Sequence, residues 1–225
     1  MRHTIITIVI ITLFLYSCNF KTAPEYLVEA EKLEGEGKYK EAILLLDKAI
    51  LKDKKFVDAY INRGVDKSAL GEYEKAIEDY KKVIELNPKN TMAFFNLGNN
   101  FKQIGDYKKA AEFYNRAFDT KGGDRFYGDL SENNFVELGY EYDVPGKMIH
   151  YERGVSNVYL NDLEKANFDF QACIQQNYKT AESYYWIGQI YLLRGQKKLA
   201  CENFYKSEKL GEKLAKAEIE KNCNN

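Results

Sequence analysis

Residues 94–114, FFNLGNNFKQIGDYKKAAEFY, contain the pattern that decides the fold. Apolar residues and one glycine recur at helical spacing, a Gly-Asp turn follows, and a second helical segment begins after it. The arrangement returns ninety residues later. The shared positions are Phe94, Leu97, Gly98, Phe101, Ala110 and Tyr114 in the first copy and Tyr184, Ile187, Gly188, Tyr191, Ala200 and Phe204 in the second. The chain therefore repeats a helix-turn-helix unit.

The alanines of the second helical segment show the period of this repeat. Ala42, Ala76 and Ala110 are 34 residues apart, and so are Ala166 and Ala200. A period of 34 residues is typical of helix-turn-helix units that stack into a solenoid. The pattern predicts an all-α solenoid of about five units, three over residues 23–121 and two over residues 147–212.

This pattern resembles the tetratricopeptide repeat (TPR) family, most clearly at Phe94-Phe95-Asn96-Leu97-Gly98-Asn99 and the following Gly105-Asp106-Tyr107. A glycine inside a helix costs about 1 kcal/mol relative to alanine, yet four units carry one at the same position. We expect these glycines to let the two helices of a unit approach closely. The glycines are Gly64, Gly98, Gly154 and Gly188, and the first unit has Ala30 in their place.

The resemblance also implies a binding surface. In this family the first helices of successive units line a concave face, and set positions after the leading aromatic residue point into it. The candidate groove residues are Leu27, Ile61, Asn62, Phe95, Asn96, Asn99, Tyr151, Tyr185 and Gln189. This apolar, amide-rich surface favours an extended peptide or a helix from a partner protein. Alternatively, Asn62 and Asn96 only follow the repeat consensus. The sequence leaves the oligomeric state open.

An insertion separates the third and fourth units. Ala110 and Ala166 are 56 residues apart, which is one period plus 22, and the extra chain falls within residues 122–146. This segment has six acidic residues and one arginine, and Leu130–Leu138 could form a short helix. One interpretation is a solvated connector whose aromatic residues pack on the solenoid. The other is a segment that lies against the groove and shapes a ligand site.

The N-terminal segment has the pattern of an export signal. Arg2 precedes an uncharged apolar run from Thr4 to Tyr16, which is too short to span a bilayer but suits a signal peptide. Leu15-Tyr16-Ser17-Cys18 resembles the lipobox of bacterial lipoproteins. The resemblance implies a signal peptide over residues 1–17, acylation of Cys18 and a short membrane tether over residues 18–23. Because Asn19 is not an aspartate, the periplasmic face of the outer membrane is favoured over the inner membrane.

The end of the repeat array is expected to be covered by another helix. Residues 213–225 alternate charged and apolar side chains, which predicts a capping helix and a short tail. Thr22 and Glu25 predict a capping box at the opposite end. Cys201 and Cys223 would meet if their helices run antiparallel. They form either a disulfide, as an oxidising envelope would permit, or two free thiols.

Composition argues against several functions. Because 33 basic residues face 34 acidic ones, the chain has no basic excess for binding nucleic acid. Its two histidines, His3 and His150, make a zinc site or a catalytic triad improbable. We therefore predict a non-enzymatic envelope adaptor or scaffold without metal or cofactor. The alternative is a ligand-capture lipoprotein whose Tyr151 and Tyr185 stack on a glycan or peptide. Catalysis would require paired carboxylates such as Glu137 and Glu141.

Overall fold

The computed structural model describes residues 21–120 and 143–224, which form eleven α-helices and no strand. The predicted all-α solenoid is confirmed within these residues. The predicted signal peptide, Cys18, the predicted short helix over Leu130–Leu138 and the Glu137/Glu141 pair lie outside them. The helices are α1 (Ala23–Gly35), α2 (Tyr39–Lys52), α3 (Val57–Ala69), α4 (Tyr73–Leu86), α5 (Thr91–Gln103), α6 (Tyr107–Thr120), α7 (Gly146–Tyr159), α8 (Leu163–Gln175), α9 (Thr180–Leu193), α10 (Lys197–Lys209) and α11 (Lys213–Asn222).

The helices pair consecutively into five hairpin units, from α1/α2 to α9/α10. Each second helix also contacts the first helix of the next unit, and neighbouring first helices contact each other. The first helices therefore form one layer of the solenoid and the second helices form the other. No described helix is long and apolar enough to cross a membrane.

In all five units, the same backbone hydrogen bond closes the turn between the two helices. In the third unit the backbone N–H of Asp106 donates to the carbonyl of Phe101 at 2.9 Å, around a residue with positive φ. This left-handed residue after a helix end is usually glycine, because glycine has no Cβ to clash. The fourth unit uses Asn161, with φ 58°, since asparagine tolerates this conformation. The other four positions are Gly37, Gly71, Gly105 and Gly195.

The glycines inside the first helices each face a ring of the second helix sixteen residues later. A Cβ built on Gly98 would lie 2.5 Å from Cε1 of Tyr114, and one on Gly188 would lie 2.5 Å from Cε1 of Phe204. A Cβ on Gly64 would lie 2.8 Å from Tyr80, and one on Gly154 would lie 3.1 Å from Phe170. In the first unit the residue sixteen positions after Ala30 is Leu46, which has no ring. Alanine therefore replaces glycine where the facing side chain is not aromatic.

In the second and fourth units, a buried arginine–aspartate pair joins the two helices of the unit. Arg153 of α7 donates from Nε and Nη2 to both carboxylate oxygens of Asp169, at 3.0 and 2.7 Å, and Asp169 is fully buried. Nη1 of Arg153 donates to Asn115 Oδ1 of the preceding unit at 2.8 Å. Arg63 makes the equivalent bonds to Asp79 and to Asp47 of the first unit. These arginines join the helices of their own unit and tie that unit to the one before it.

The third unit fills the same two positions with apolar side chains, Leu97 and Phe113. Leu97 is fully buried, and Phe113 packs against the same core. Because the fold accommodates either an ion pair or an apolar pair at this place, the ion pair is one of two solutions to the same packing problem.

Both ends of the array have the predicted helix features. At the start, the Thr22 side chain accepts from the Glu25 backbone and Glu25 accepts from the Thr22 backbone at 2.6 Å, which confirms the capping box. At the other end, Ala215 and Ile219 of α11 pack on α10. The Cys201 and Cys223 sulfurs form a disulfide between α10 and the end of α11, with Cα atoms 5.6 Å apart. Cys173 is a buried free thiol.

Candidate functional site

The first helices present equivalent residues along one surface, which we call the first-helix face. It consists of four positions in each unit, and in a TPR solenoid it lines the concave side. The residues, unit by unit, are Leu27, Glu31, Glu34 and Gly35; Ile61, Val65, Ser68 and Ala69; Phe95, Asn99, Lys102 and Gln103; Tyr151, Val155, Val158 and Tyr159; and Tyr185, Gln189, Leu192 and Leu193.

Two of the predicted groove residues are core residues. Ile61 is 4% exposed and Phe95 is 8% exposed. The Phe95 ring lies 5.8 Å from the ring of Tyr114, and both belong to the same hydrophobic core as Ile61. These two side chains therefore support the groove from below. The remaining predicted residues, Leu27, Asn62, Asn96, Asn99, Tyr151, Tyr185 and Gln189, are half-buried at the surface.

The predicted tyrosine Tyr151 is held in a network with its neighbours. Its hydroxyl accepts from Trp186 Nε1 at 3.4 Å, and Nζ of Lys179 lies 3.9 Å from the centre of its ring. A lysine over an aromatic face is held by a cation–π attraction, and burial raises the Tyr151 pKa to about 12. A glycan stacking on this face of the ring would have to displace Lys179.

An aromatic row, with an exposed tyrosine between two half-buried rings, crosses the C-terminal half of the array. Tyr159 is 57% exposed, and its ring stacks on Tyr107 at 4.2 Å with an interplanar angle of 6°. The Trp186 ring makes an edge contact with Tyr159, with ring centroids 6.4 Å apart. This aromatic row therefore joins the third, fourth and fifth units. Leu193 is 61% exposed at the position in the fifth unit equivalent to that of Tyr159.

Sequence reasoning did not select the aromatic row. The predicted groove residues come from three positions of the first helices, and Tyr159 lies beyond them, eight residues after Tyr151. The available signal was helical spacing: Tyr151, Val155 and Tyr159 recur every four residues and so share a face. The stack of Tyr159 on Tyr107 joins residues 52 positions apart across the insertion, which spacing does not reveal.

Charges in this half of the face are neutralised within the protein. Glu152 of α7 pairs with Lys102 of α5, and its other carboxylate oxygen lies 3.9 Å from Nζ of Lys179. These three side chains are mostly covered, since the most exposed of them retains about a third of its surface. The C-terminal half therefore presents mainly aromatic, aliphatic and amide groups.

The N-terminal end of the face is acidic. Glu31 is exposed, Glu34 is half-buried, and Asp66 of α3 is fully buried with no hydrogen-bond partner for either carboxylate oxygen. Burial, together with the negative charge of Glu34, raises the Asp66 pKa to about 7. Burial and the charge of Glu31 also raise the pKa of Glu34, and Asn62 opposes this shift with a hydrogen bond.

The repeat places Asp66 and Glu34 at equivalent positions to a pair of contacting residues. In the next unit the equivalents of Glu34 and Asp66 are Ser68 and Asn100, and Ser68 Oγ donates to Asn100 Oδ1 at 2.9 Å. By the same register, Asp66 and Glu34 are neighbours across the junction of the first two units, in agreement with the effect of the Glu34 charge on the Asp66 pKa. At the junction of the second and third units, Ser68 and Asn100 share a hydrogen bond. At the junction of the first and second units, two carboxyl groups take these positions.

Nothing in the described residues suggests a resident metal. They contain no group of three or more histidine, cysteine or acidic side chains arranged to hold an ion. His150 is engaged in the core of its unit, where Nδ1 lies 2.7 Å from Asp169 Oδ1.

The tetratricopeptide repeat family models match residues 57–90, 93–122 and 181–210. These segments correspond to the second, third and fifth units. No significant match is found among the curated proteins.

Solved structures with the same fold are numerous. The chain is similar to YrrB, described as a TPR protein with an unusual peptide-binding site, with TM-score 0.69 and 20% identity over 88% of this chain and 92% of that one. It is similar to MamA from Desulfovibrio magneticus RS-1, with TM-score 0.69 and 19% identity over 84% and 94%. Pseudomonas aeruginosa PilF matches with TM-score 0.62 and 15% identity over 84% and 76%. The chain therefore contains tetratricopeptide repeats and folds as a TPR solenoid.

Proposed function

We propose that this protein is a lipid-anchored adaptor or scaffold of the bacterial cell envelope that holds a segment of a partner protein in the groove of its first-helix face. The observation that carries the proposal is the aromatic row of Tyr107, Tyr159 and Trp186. Of these three residues Tyr159 is exposed, and Tyr107 and Trp186 are half-buried beside it. An exposed aromatic side chain that is already fixed by ring contacts loses little conformational entropy on binding, and tyrosine and tryptophan are enriched among the residues that dominate binding energy. No catalytic step is proposed.

The fold supports this proposal. Stacked repeats create an extended concave surface of the kind that solenoid proteins use for binding, and YrrB, of the same fold, is described as having a peptide-binding site. The half-buried amides Asn62, Asn96 and Asn99 lie in the middle of the array. Amide side chains can hydrogen-bond the backbone of an extended peptide whatever its sequence.

The partner test is a crosslinked affinity capture from native membranes, read by mass spectrometry. Wild type is compared with Tyr159→Ser, which removes the centre of the aromatic row. The matched control is Tyr205→Ser, because Tyr205 is similarly exposed at 48% but lies on α10, a second helix. A partner retained by the control and lost with Tyr159→Ser supports the groove. Equal capture by both variants would contradict it.

Anchoring rests on the lipobox resemblance at Cys18 and is tested separately. Cells expressing wild type or Cys18→Ser are fed an alkyne-labelled fatty acid, and membranes are fractionated by density. We expect label and outer-membrane recovery for the wild type and neither for Cys18→Ser. Label without outer-membrane recovery would retain the anchor and reject the outer-membrane location.

A further inference from the structure

The two ends of the first-helix face differ in chemistry, and this difference constrains the partner. Among its four positions per unit, the acidic residues are Glu31 and Glu34, both in the first unit. The one basic residue, Lys102, is paired with Glu152. From the fourth unit onward the positions hold Tyr151, Tyr159 and other uncharged side chains. The face therefore changes from acidic to aromatic along the array.

The acidic end has unmet electrostatic and hydrogen-bonding needs. Among the described residues, no ion pair includes Glu31, Glu34 or Asp66, although the other buried aspartates, Asp79 and Asp169, are each bound by arginine. A buried carboxylate without a partner is costly, and Asp66 and Glu34 occupy the positions at which Asn100 and Ser68 are in contact in the next unit. A cation bound at Glu31 and Glu34 would offset the negative charge of this junction.

We propose that the partner segment has an asymmetric composition, with lysine or arginine residues that bind at Glu31 and Glu34 and aromatic or aliphatic residues that bind at Tyr159 and Trp186. This inference rests on the proposed function. A basic end complements the unpaired carboxylates, and an apolar end complements the aromatic row. Asp66 is fully buried and does not touch the partner. The partner therefore lies along the array in one direction, with its basic end at the first unit.

The experiment selects binders from a random peptide library displayed on phage, using the folded chain from Cys18 onward with serine at position 18. Enriched peptides are synthesised and titrated calorimetrically against wild type, a Glu31→Gln, Glu34→Gln variant and Tyr159→Ser. The matched control is Glu74→Gln, Glu78→Gln on α4, which removes two exposed acidic residues from a second helix. Each peptide is also made with glutamine at its basic positions.

We expect enriched peptides to carry basic residues towards one end and apolar residues towards the other. The Glu31→Gln, Glu34→Gln variant should bind them about tenfold more weakly, and more salt should reduce this difference. The control should bind like wild type, and the glutamine peptides should not distinguish the variants. A photocrosslinker at the basic end should label the first or second unit.

Two results would overturn the inference in different ways. Peptides that require Tyr159 but show no basic excess, or that bind the Glu31→Gln, Glu34→Gln variant as well as wild type, would refute the asymmetric partner and leave the groove intact. Failure to enrich any peptide that depends on Tyr159 would refute the peptide-binding groove and this inference with it.

Discussion

Replacement of Gly98 by alanine should destabilise the protein, although alanine is the better helix former. The new Cβ would lie 2.5 and 2.6 Å from Cε1 and Cδ1 of Tyr114, well inside van der Waals contact. The ring has little freedom to move, because Tyr114 is fully buried and its hydroxyl donates to Asn99 Oδ1 at 2.8 Å. Gly98→Ala therefore tests whether close helix approach is the reason for glycine at this position.

The magnitude follows from two opposing effects. Helix propensity favours alanine by about 1 kcal/mol, and overpacking of a close-packed core costs about 1 to 3 kcal/mol. Because the contact is so short, we take the upper part of that range. Gly98→Ala should then lower the free energy of unfolding by about 1 to 2 kcal/mol. In a Tyr114→Leu background the clash disappears, and Gly98→Ala should stabilise the protein by up to about 1 kcal/mol.

The assay is urea unfolding followed by circular dichroism for the four members of this cycle. Gly35→Ala is the matched control, because Gly35 ends α1 with open space around it and alanine there should not destabilise. The two Gly98→Ala effects should differ by about 2 to 3 kcal/mol, within the range measured for contacting residues. If Gly98→Ala stabilises the protein equally in both backgrounds, the close-approach explanation is wrong.

Three further predictions concern the array itself. The chain from residue 19 onward, unfolded without reductant, should titrate one thiol, from Cys173, and three thiols would exclude the disulfide at Cys201. The folded Asp66 carboxyl has a pKa near 7 against about 4 unfolded and so binds more protons than the unfolded chain between these values. The free energy of unfolding, measured by thermal or urea unfolding, should therefore fall by on the order of 2 to 4 kcal/mol from pH 4 to pH 8. Asp66→Asn should remove most of this pH dependence. An unchanged pH dependence in the variant would assign the effect to other groups. Arg153→Leu should cost about 3 to 5 kcal/mol, because buried Asp169 loses its arginine and keeps only His150 and Asn157 as polar neighbours. Arg153→Leu with Asp169→Phe should recover at least half of this loss in the same urea assay, unless the ion pair has no apolar substitute.

The protonation of Asp66 involves groups on three helices. Glu34 of α1 faces it, Asp66 itself is on α3, and the Tyr80 ring of α4 packs against the same helix at Gly64. Burial raises the Tyr80 pKa above its usual value, so this phenol stays protonated throughout the range considered. The pH effect is therefore expected to come from the two carboxyl groups, and the Asp66→Asn substitution separates them from the rest of the chain.

The sequence by itself determined the fold. A period of 34 residues, with glycine and alanine at fixed positions and aromatic residues between them, is typical of helix-turn-helix units that stack into a solenoid. Helix ends were also readable locally, because capping and left-handed turns depend on few residues. The Thr22 capping box, the glycine turns and the end of α4 before Pro88 all follow from neighbouring residues.

The tertiary structure decided which side chains of the first helices reach the surface. Ile61 and Phe95 occupy predicted groove positions but are buried, whereas Tyr159 is exposed and stacks on Tyr107 across the insertion. The acidic junction of Glu34 and Asp66 likewise brings together side chains 32 residues apart on different helices. Helical periodicity assigns a residue to a face, but its exposure depends on the side chains that neighbouring units place over it. Long-range packing, which no local pattern encodes, therefore determined the chemistry of the site.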